Sequence, residues 1–316
     1  MNRPQLLVYP SCRPALFSYS FKAMGTLCSL HLSCAQREQA DMYAASAIAE
    51  VERIEKKYSR YLPDSVVSHV NRQAHVGKAV TLDEETAELL NYAFVCYQKS
   101  DGLFDVTSGL LRRVWNFSSP VLPDDADIRR LLPFIGMHKL VWNAPRLSFL
   151  VSGMELDFGG IGKEYAVDRL ASLLADDGLE SGVIDLGGDF FALGPQANGQ
   201  PWKIGLRDPN NADKIAAVVT LSRGGLATSG NYERCLRIDG KRYGHILNPK
   251  TGWPVQGLSS VTVAAPECMV AGSLTTIAVL KGDAGIEWLS NTGMPHRWID
   301  ESGQQGGLPP LCNDVG

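Results

Sequence analysis

A chain of 316 residues with 45% hydrophobic and 20% charged residues has the make-up of one large folded domain or two ordinary ones, which excludes wholesale disorder. A net charge of −4, with no run of five or more Lys and Arg, argues against a nucleic-acid surface. The seven Cys are odd in number and include no CxxC pair, so they read as reduced, small hydrophobes rather than as a metal cluster.

From the N-terminus, the apolar run Leu6 to Tyr9 is too short for a signal sequence, and Cys12 lacks the small-residue context of a lipoprotein cleavage site. No stretch approaches 18 apolar residues, so no membrane span is predicted and a cytoplasmic location is expected. Residues 16–34 alternate around Met24-Gly25-Thr26, the pattern of two strand pieces flanking a turn or bulge. Residues 38–58 place Ala45, Ile48, Val51 and Ile54 on one helical stripe. Asp64-Ser65 can cap a short helix ending near Asn71, and Thr81 or Asp83 a longer one reaching Ser100. Residues 120–150 are proline-punctuated and read as solvent-facing, with short strands.

The centre is more regular. Residues 154–158 read as a strand, Gly159-Gly160-Ile161-Gly162 as a turn, and Lys163 to Asp176 as a helix. Strands are predicted at 182–186, 190–194, 202–207, 218–221, 225–229, 235–239 and 260–264, a helix at 270–280, and a frayed or extended tail after Asp300. Runs of strands with a few helices between them favour an α+β class, as one two-lobed unit.

Three constellations carry chemistry. The strand–glycine turn–helix unit Asp157 to Lys163 would offer free backbone N–H groups and an ammonium to a phosphate, although its spacing is neither GxGxxG nor a P-loop. Thr228-Ser229-Gly230-Asn231-Tyr232 gathers hydroxyls and an aromatic ring suited to a polar pocket wall. Gly244 to Gly252 predicts a tight turn that presents His245, the side chain suited to general-base work at neutral pH. Each of the three equally fits a plain structural turn. No HExxH motif or Ser/His/Asp arrangement is present, which removes hydrolases of those classes.

Taken together and in order, these segments resemble the ApbE family of FAD:protein FMN transferases over roughly residues 20–290. The resemblance rests on Met24-Gly25-Thr26, Tyr58 to Asn71, Asp101 to Thr107, Asp157 to Asp168, Asp185 to Asp189, Thr228 to Tyr232 and His245 to Gly252. It implies a two-lobed α+β fold with mixed sheets and the flavin site between the lobes. The chain would be a single domain of 1–316 with short terminal extensions. The implied activity moves FMN from FAD to a Ser or Thr hydroxyl of an acceptor protein, with Mg²⁺, releasing AMP. Carried over by motif, the FAD contacts would be Met24, Tyr61, Leu103, Phe104, Asp105, Asp157, Lys163 and Ile246, with Thr228 and Ser229 in the pocket wall. His245 and Lys163 would be catalytic.

Two positions depart from the family pattern. Its metal segment, Ala-Asp-Ala-x-[Ala/Asp]-Thr, reads Ala271-Gly272-Ser273-Leu274-Thr275-Thr276 here, so Gly272 stands where the acid should be. Its Lys-Gly-Tyr reads Lys163-Glu164-Tyr165. The metal donors implied are therefore the Gly160 carbonyl, Thr276 and, as a replacement carboxylate, Glu164, which equally fits a first-turn acid favoured by the helix dipole. Three readings stay open: a transferase, an FAD-binding carrier with a decayed metal site, and an FAD pyrophosphatase.

Overall fold

A computed structural model describes residues 14–209, 211–231, 235–308 and 312–314; Leu6 to Tyr9, Cys12 and Tyr232 lie outside the described residues. The alternation of residues 15–34 becomes a hairpin of β1 (Ala15–Ala23) and β2 (Thr26–Cys34). Its two turn residues, Met24 and Gly25, hold φ of 52° and 73°, the positive pair that a two-residue type I′ turn demands. On β2, Cys28, Leu30, Leu32 and Cys34 all point into the core. Helix α1 (Arg37–Tyr58) contributes Ala40, Ala44, Ala47, Val51 and Ile54 to the same core.

Next come α2 (Val66–His75), β3 (Val80–Thr81), α3 (Glu84–Lys99), α4 (Asp125–Leu131), β4 (Leu140–Asn143), β5 (Arg146–Phe149) and α5 (Gly162–Asp176). The strands β6 (Gly182–Leu186), β7 (Asp189–Gly194), β8 (Trp202–Asp208), β9 (Asn211–Leu221), β10 (Gly224–Gly230), β11 (Cys235–Ile238), β12 (Lys241–Gly244) and β13 (Leu258–Ala265) follow. The chain then forms α6 (Cys268–Leu280), α7 (Ala284–Ser290), β14 (His296–Asp300), β15 (Gln305–Leu308) and β16 (Cys312–Asp314).

Eight strands form one antiparallel sheet in the order β1-β2-β6-β7-β10-β13-β14-β15. One face is covered by α1, α5 and α6. The three-stranded sheet β16-β9-β8 packs on the other face through Val183, Ala192, Ile204, Val219, Leu221 and Leu226. Burial on both faces matches the unbroken buried stretches at 182–184 in β6 and 224–227 in β10. The second lobe gathers α4 and the hairpin β11-β12, while α2 and the sheet β3-β5-β4 pack on the main core through Val67, Val70, Val80, Leu140 and Leu147. It has an aromatic cluster of its own around Leu110, Leu111, Trp115 and Ile128. The architecture is α+β and two-lobed, as the sequence indicated.

The predicted caps are in place: Ser65 accepts from Ser68 N–H at 3.0 Å, and Asp83 from Thr86 N–H at 3.1 Å. Three segments differ from expectation. Residues 154–158 are extended but are not a strand. Asn71 takes Leu156 N–H at 2.7 Å and gives its amide to Leu156 O at 3.0 Å, so a side chain does the pairing. The stretch 120–150 holds α4, which Asp124 caps through Ala126 N–H, besides its short strands. The tail is ordered where β15 pairs with β14 and β16 with β9, because both partner strands have an open edge. Cys28, Cys34, Cys96 and Cys268 are buried thiols, as expected.

Glu85 on α3 ties three helices together. Its carboxylate accepts from Arg53 (2.7 and 3.0 Å) and Lys57 (2.6 Å) on α1 and from the Tyr165 hydroxyl (2.6 Å) on α5. Burial alone would raise this acid, but those donors outweigh it and hold it down to about 2. A folded-state value below the unfolded 4.5 means that the stabilisation is fully present above pH 4.5 and fades as pH falls towards 2. Urea midpoints measured from pH 6 to pH 2 should therefore fall less steeply in Glu85→Gln than in wild type.

Candidate active site

The glycine turn ahead of α5 delivers two functional side chains, Lys163 and Glu164, to one place. The α5 N-terminus has no side-chain cap, since Ile161 occupies that position. Lys163 points back along the sheet, its Nζ 2.7 Å from Asp189 Oδ2 and 3.3 Å from Gly187 O. Asp189, at the start of β7, is 3% exposed. Burial drives its carboxyl upward against the pull of Lys163 and of the Thr228 N–H. Gly187 has φ of 65°, and a side chain there would strike Thr26, so the Met24-Gly25-Thr26 turn abuts the Gly187-Gly188 turn.

Glu164 turns inward and is 8% exposed. Its Oε2 is buried with no hydrogen-bond partner. Burial, and then the charge of Asp189, push its carboxyl up to about 8, partly offset by Lys163 and by its own backbone N–H. It packs on Gly272 of α6, where an added Cβ would lie 2.5 Å from Glu164 Cγ and 2.8 Å from Oε1. Thr276 lies one turn further along α6 on the same face. From β10, Ser229 Oγ reaches Thr275 Oγ1 at 2.8 Å and Thr276 Oγ1 at 3.1 Å, while Thr228 meets Thr262 on β13 at 2.9 Å.

Helix α6 is held in register by α5. Its N-cap position, Glu267, makes no side-chain cap bond. Asp168 accepts instead from Cys268 N–H at 2.7 Å and Met269 N–H at 2.8 Å. Burial lifts the Asp168 carboxyl to about 6 despite these bonds.

A second group gathers around the turn's other side. Asp157 accepts from Gly159 N–H at 2.8 Å and from Arg60 Nη1 at 3.0 Å. Arg60 also reaches Gly109 O and Glu155, which Arg113 engages as well. Asp157 N–H pairs with Val106 O at 2.7 Å, drawing in the loop of Asp101 to Thr107. Lys250 and Lys281 pin that loop through Asp101, and Ser100 Oγ accepts Phe104 N–H at 2.8 Å. The Phe104 ring faces Gly160, where a Cβ would meet it at 3.4 Å. Tyr61 is 76% exposed on a basic cleft shared with Arg60, Arg72 and His75.

His245 follows β12 and is half-buried. A tight hairpin then closes, with Val255 N–H on Ile246 O, Asn248 N–H on Trp253 O and Gly252 N–H on Asn248 O. Trp115 Nε1 donates to Gly252 O at 2.8 Å and braces the hairpin tip from the aromatic cluster. Asn231 sits under Gly244, where any side chain would meet Asn231 Oδ1 at 2.4 Å, and its amide donates to Val255 O.

The model of the ApbE family matches residues 24–297. The chain belongs to the ApbE family. The FAD:protein FMN transferase of Treponema pallidum is 32% identical over 288 residues, spanning 84% of this chain and 79% of its own length. The Haemophilus influenzae protein of the same name is 29% identical, over 86% and 83%. Among solved structures, the ApbE protein of Thermotoga maritima superposes with a TM-score of 0.84 at 30% identity, over 93% of this chain and 97% of its own. The flavin transferase ApbE of Vibrio cholerae gives 0.84 at 25% identity, over 94% and 98%.

In this ApbE-family chain, Lys163, Glu164, Ser229 and Thr276 lie about the α5–α6 junction, and Leu103, Phe104 and Asp157 on the far side of the glycine turn that holds Gly160, whereas Thr228 points to the opposite face of β10 from Ser229 and pairs with Thr262 on β13. Met24 and Ile246 both pack on the main core. Three expected contacts are engaged inside the protein, Asp157 by Gly159 N–H and Arg60 as described above. Asp105 is 8% exposed, and its carboxylate accepts Thr107 N–H, Thr107 Oγ1 and Met137 N–H, so it braces the flavin-family loop from behind. Lys163 is occupied by Asp189. Sequence reading assigned no role to Asp189, Asp168 or Asn71. Nothing local marks them, because each acts on a partner tens of residues away. Among the described residues no group of three or more His, Cys, Asp or Glu forms a metal site, and no helix is long and apolar enough to cross a membrane.

Proposed function

We propose that the chain transfers the FMN half of FAD to a Ser or Thr hydroxyl of an acceptor protein and releases AMP. The observation that carries this reading is its likeness, over more than four-fifths of the chain, to relatives named FAD:protein FMN transferase. FAD would lie between the lobes, along Met24, Tyr61, Leu103, Phe104, Asp157 and Ile246. The exposed Tyr61 ring offers a stacking face, and Asp157 an acceptor for ring or ribose donors. Asp105 keeps Leu103 and Phe104 in place.

A divalent cation fits the donor chemistry of the α5–α6 junction, which offers the Thr276 hydroxyl and a buried carboxyl oxygen without a partner, with the Gly160 carbonyl in the exposed turn just ahead of α5. Such an ion supplies charge neutralisation to phosphate oxygens. The chain's own residues do the rest. Lys163, fixed by Asp189, adds a half-buried positive charge beside that junction. His245 takes the proton from the acceptor hydroxyl as its oxygen bonds to the FMN phosphorus, and the bond from that phosphorus to the AMP oxygen breaks. Positioning of the two reactants carries much of the rate.

His245→Ala should lower AMP release with acceptor by about 10²- to 10⁴-fold. The FAD dissociation constant, read by flavin fluorescence, should stay within a few-fold of wild type. An equal loss of FAD binding would assign His245 to structure instead. AMP released at the same rate without acceptor would favour a pyrophosphatase.

A further inference from the structure

We propose that Glu164 supplies the carboxylate of a divalent-cation site at the α5–α6 junction, from the helix opposite Gly272. The inference rests on the transferase reading, because the ion would serve the phosphates of bound FAD. Four observations lead to it. The two positions where the chain departs from the family's segments, 164 and 272, touch each other. The junction has room for one acid: the Glu164 side chain fills the space in front of Gly272, and even a methyl at 272 would collide with it. One oxygen of that acid is buried without a partner, an expensive arrangement for a group whose only use is structural. The nearest cation, Lys163, is held by Asp189 and leaves Glu164 for another positive charge.

The surrounding donors suit a small hard ion. Thr276 lies one turn beyond Gly272, Ser229 bonds its hydroxyl, and the exposed Gly160 sits in the turn ahead of α5, four residues before Glu164. One carboxylate with neutral oxygens and substrate phosphates is the usual environment of Mg²⁺, which keeps several water or phosphate ligands. This also accounts for the lack of a cluster of three acidic or imidazole ligands among the described residues.

The test is Mn²⁺ binding to the full chain, followed by electron paramagnetic resonance with FAD present and no acceptor, beside metal-free FAD binding by fluorescence. Glu164→Gln keeps the shape and removes the charge; it should weaken Mn²⁺ by about tenfold or more. Glu164→Gly should weaken it equally. The double variant Glu164→Gly with Gly272→Asp, which returns the acid from α6, should regain affinity to within a few-fold of wild type. Unchanged Mn²⁺ affinity in Glu164→Gln, or a double variant no tighter than Glu164→Gly, would overturn the inference. A wild type that takes Mn²⁺ but no FAD would overturn the transferase reading separately.

Discussion

Replacing Asp189 with Ala is expected to cost about 3–5 kcal/mol of stability, because it strands the Lys163 ammonium in the sheet–helix interior. Asp189 is 3% exposed, and its partner's side chain is 30% exposed with one close ion contact at 2.7 Å. The cost comes from the uncompensated charge rather than from the pair itself. Lys163→Met combined with Asp189→Leu should therefore be far closer to wild type than either single change, a strong non-additivity in a double-mutant cycle. Urea unfolding of the four proteins measures it. A single Asp189→Ala loss below about 1 kcal/mol would show that water reaches Lys163 and that the pair is a surface one.

Trp115→Ala is expected to have the second large effect, about 3–5 kcal/mol. Trp115 is 3% exposed, stacks on Phe117 at 5.5 Å and meets Trp253 edge-on at 5.4 Å. Its indole N–H also caps Gly252 O, so the residue joins the second lobe's cluster to the hairpin that carries His245. The change removes ring area and one buried hydrogen bond together, and turnover should fall along with stability. Trp115→Phe keeps most of the packing and loses the bond to Gly252 O. It should recover most of the melting temperature but less of the rate, if the hairpin's position matters for His245. Melting curves beside AMP-release rates distinguish the two contributions, and equal recovery of both would remove the hairpin from the account.

What the sequence made legible was local. Alternation located β1 and β2, the run of helix formers located α1 although of its expected stripe only Val51 and Ile54 are buried and Ala45 is exposed, and the caps Ser65 and Asp83 were plain from residue type and spacing. The glycine turn before α5 and the turn after His245 were legible for the same reason. The misses were contacts between distant segments. Residues 154–158 look like a strand, but they pair with the Asn71 side chain and with Val106 O instead of with a sheet. Helix α6 takes its cap from Asp168, a hundred residues earlier in the chain. Lys163 reads as a phosphate ligand, and only the fold shows that Asp189 lies beside it. The exchange at 164 and 272 was visible in the sequence, and Glu164 was read there as a replacement carboxylate. Only the fold shows that the two positions share one space.

The central claim is group transfer, and flavin attachment tests it most directly. The protein is incubated with FAD, Mg²⁺ and a Ser/Thr-bearing acceptor of the kind its relatives modify. AMP is quantified beside the intact mass of the acceptor. The expected result is AMP in equal amount to acceptor carrying one FMN on a hydroxyl, with neither product when acceptor is omitted. FAD bound but intact under every metal tested, or AMP formed with no flavin on the acceptor, would contradict it.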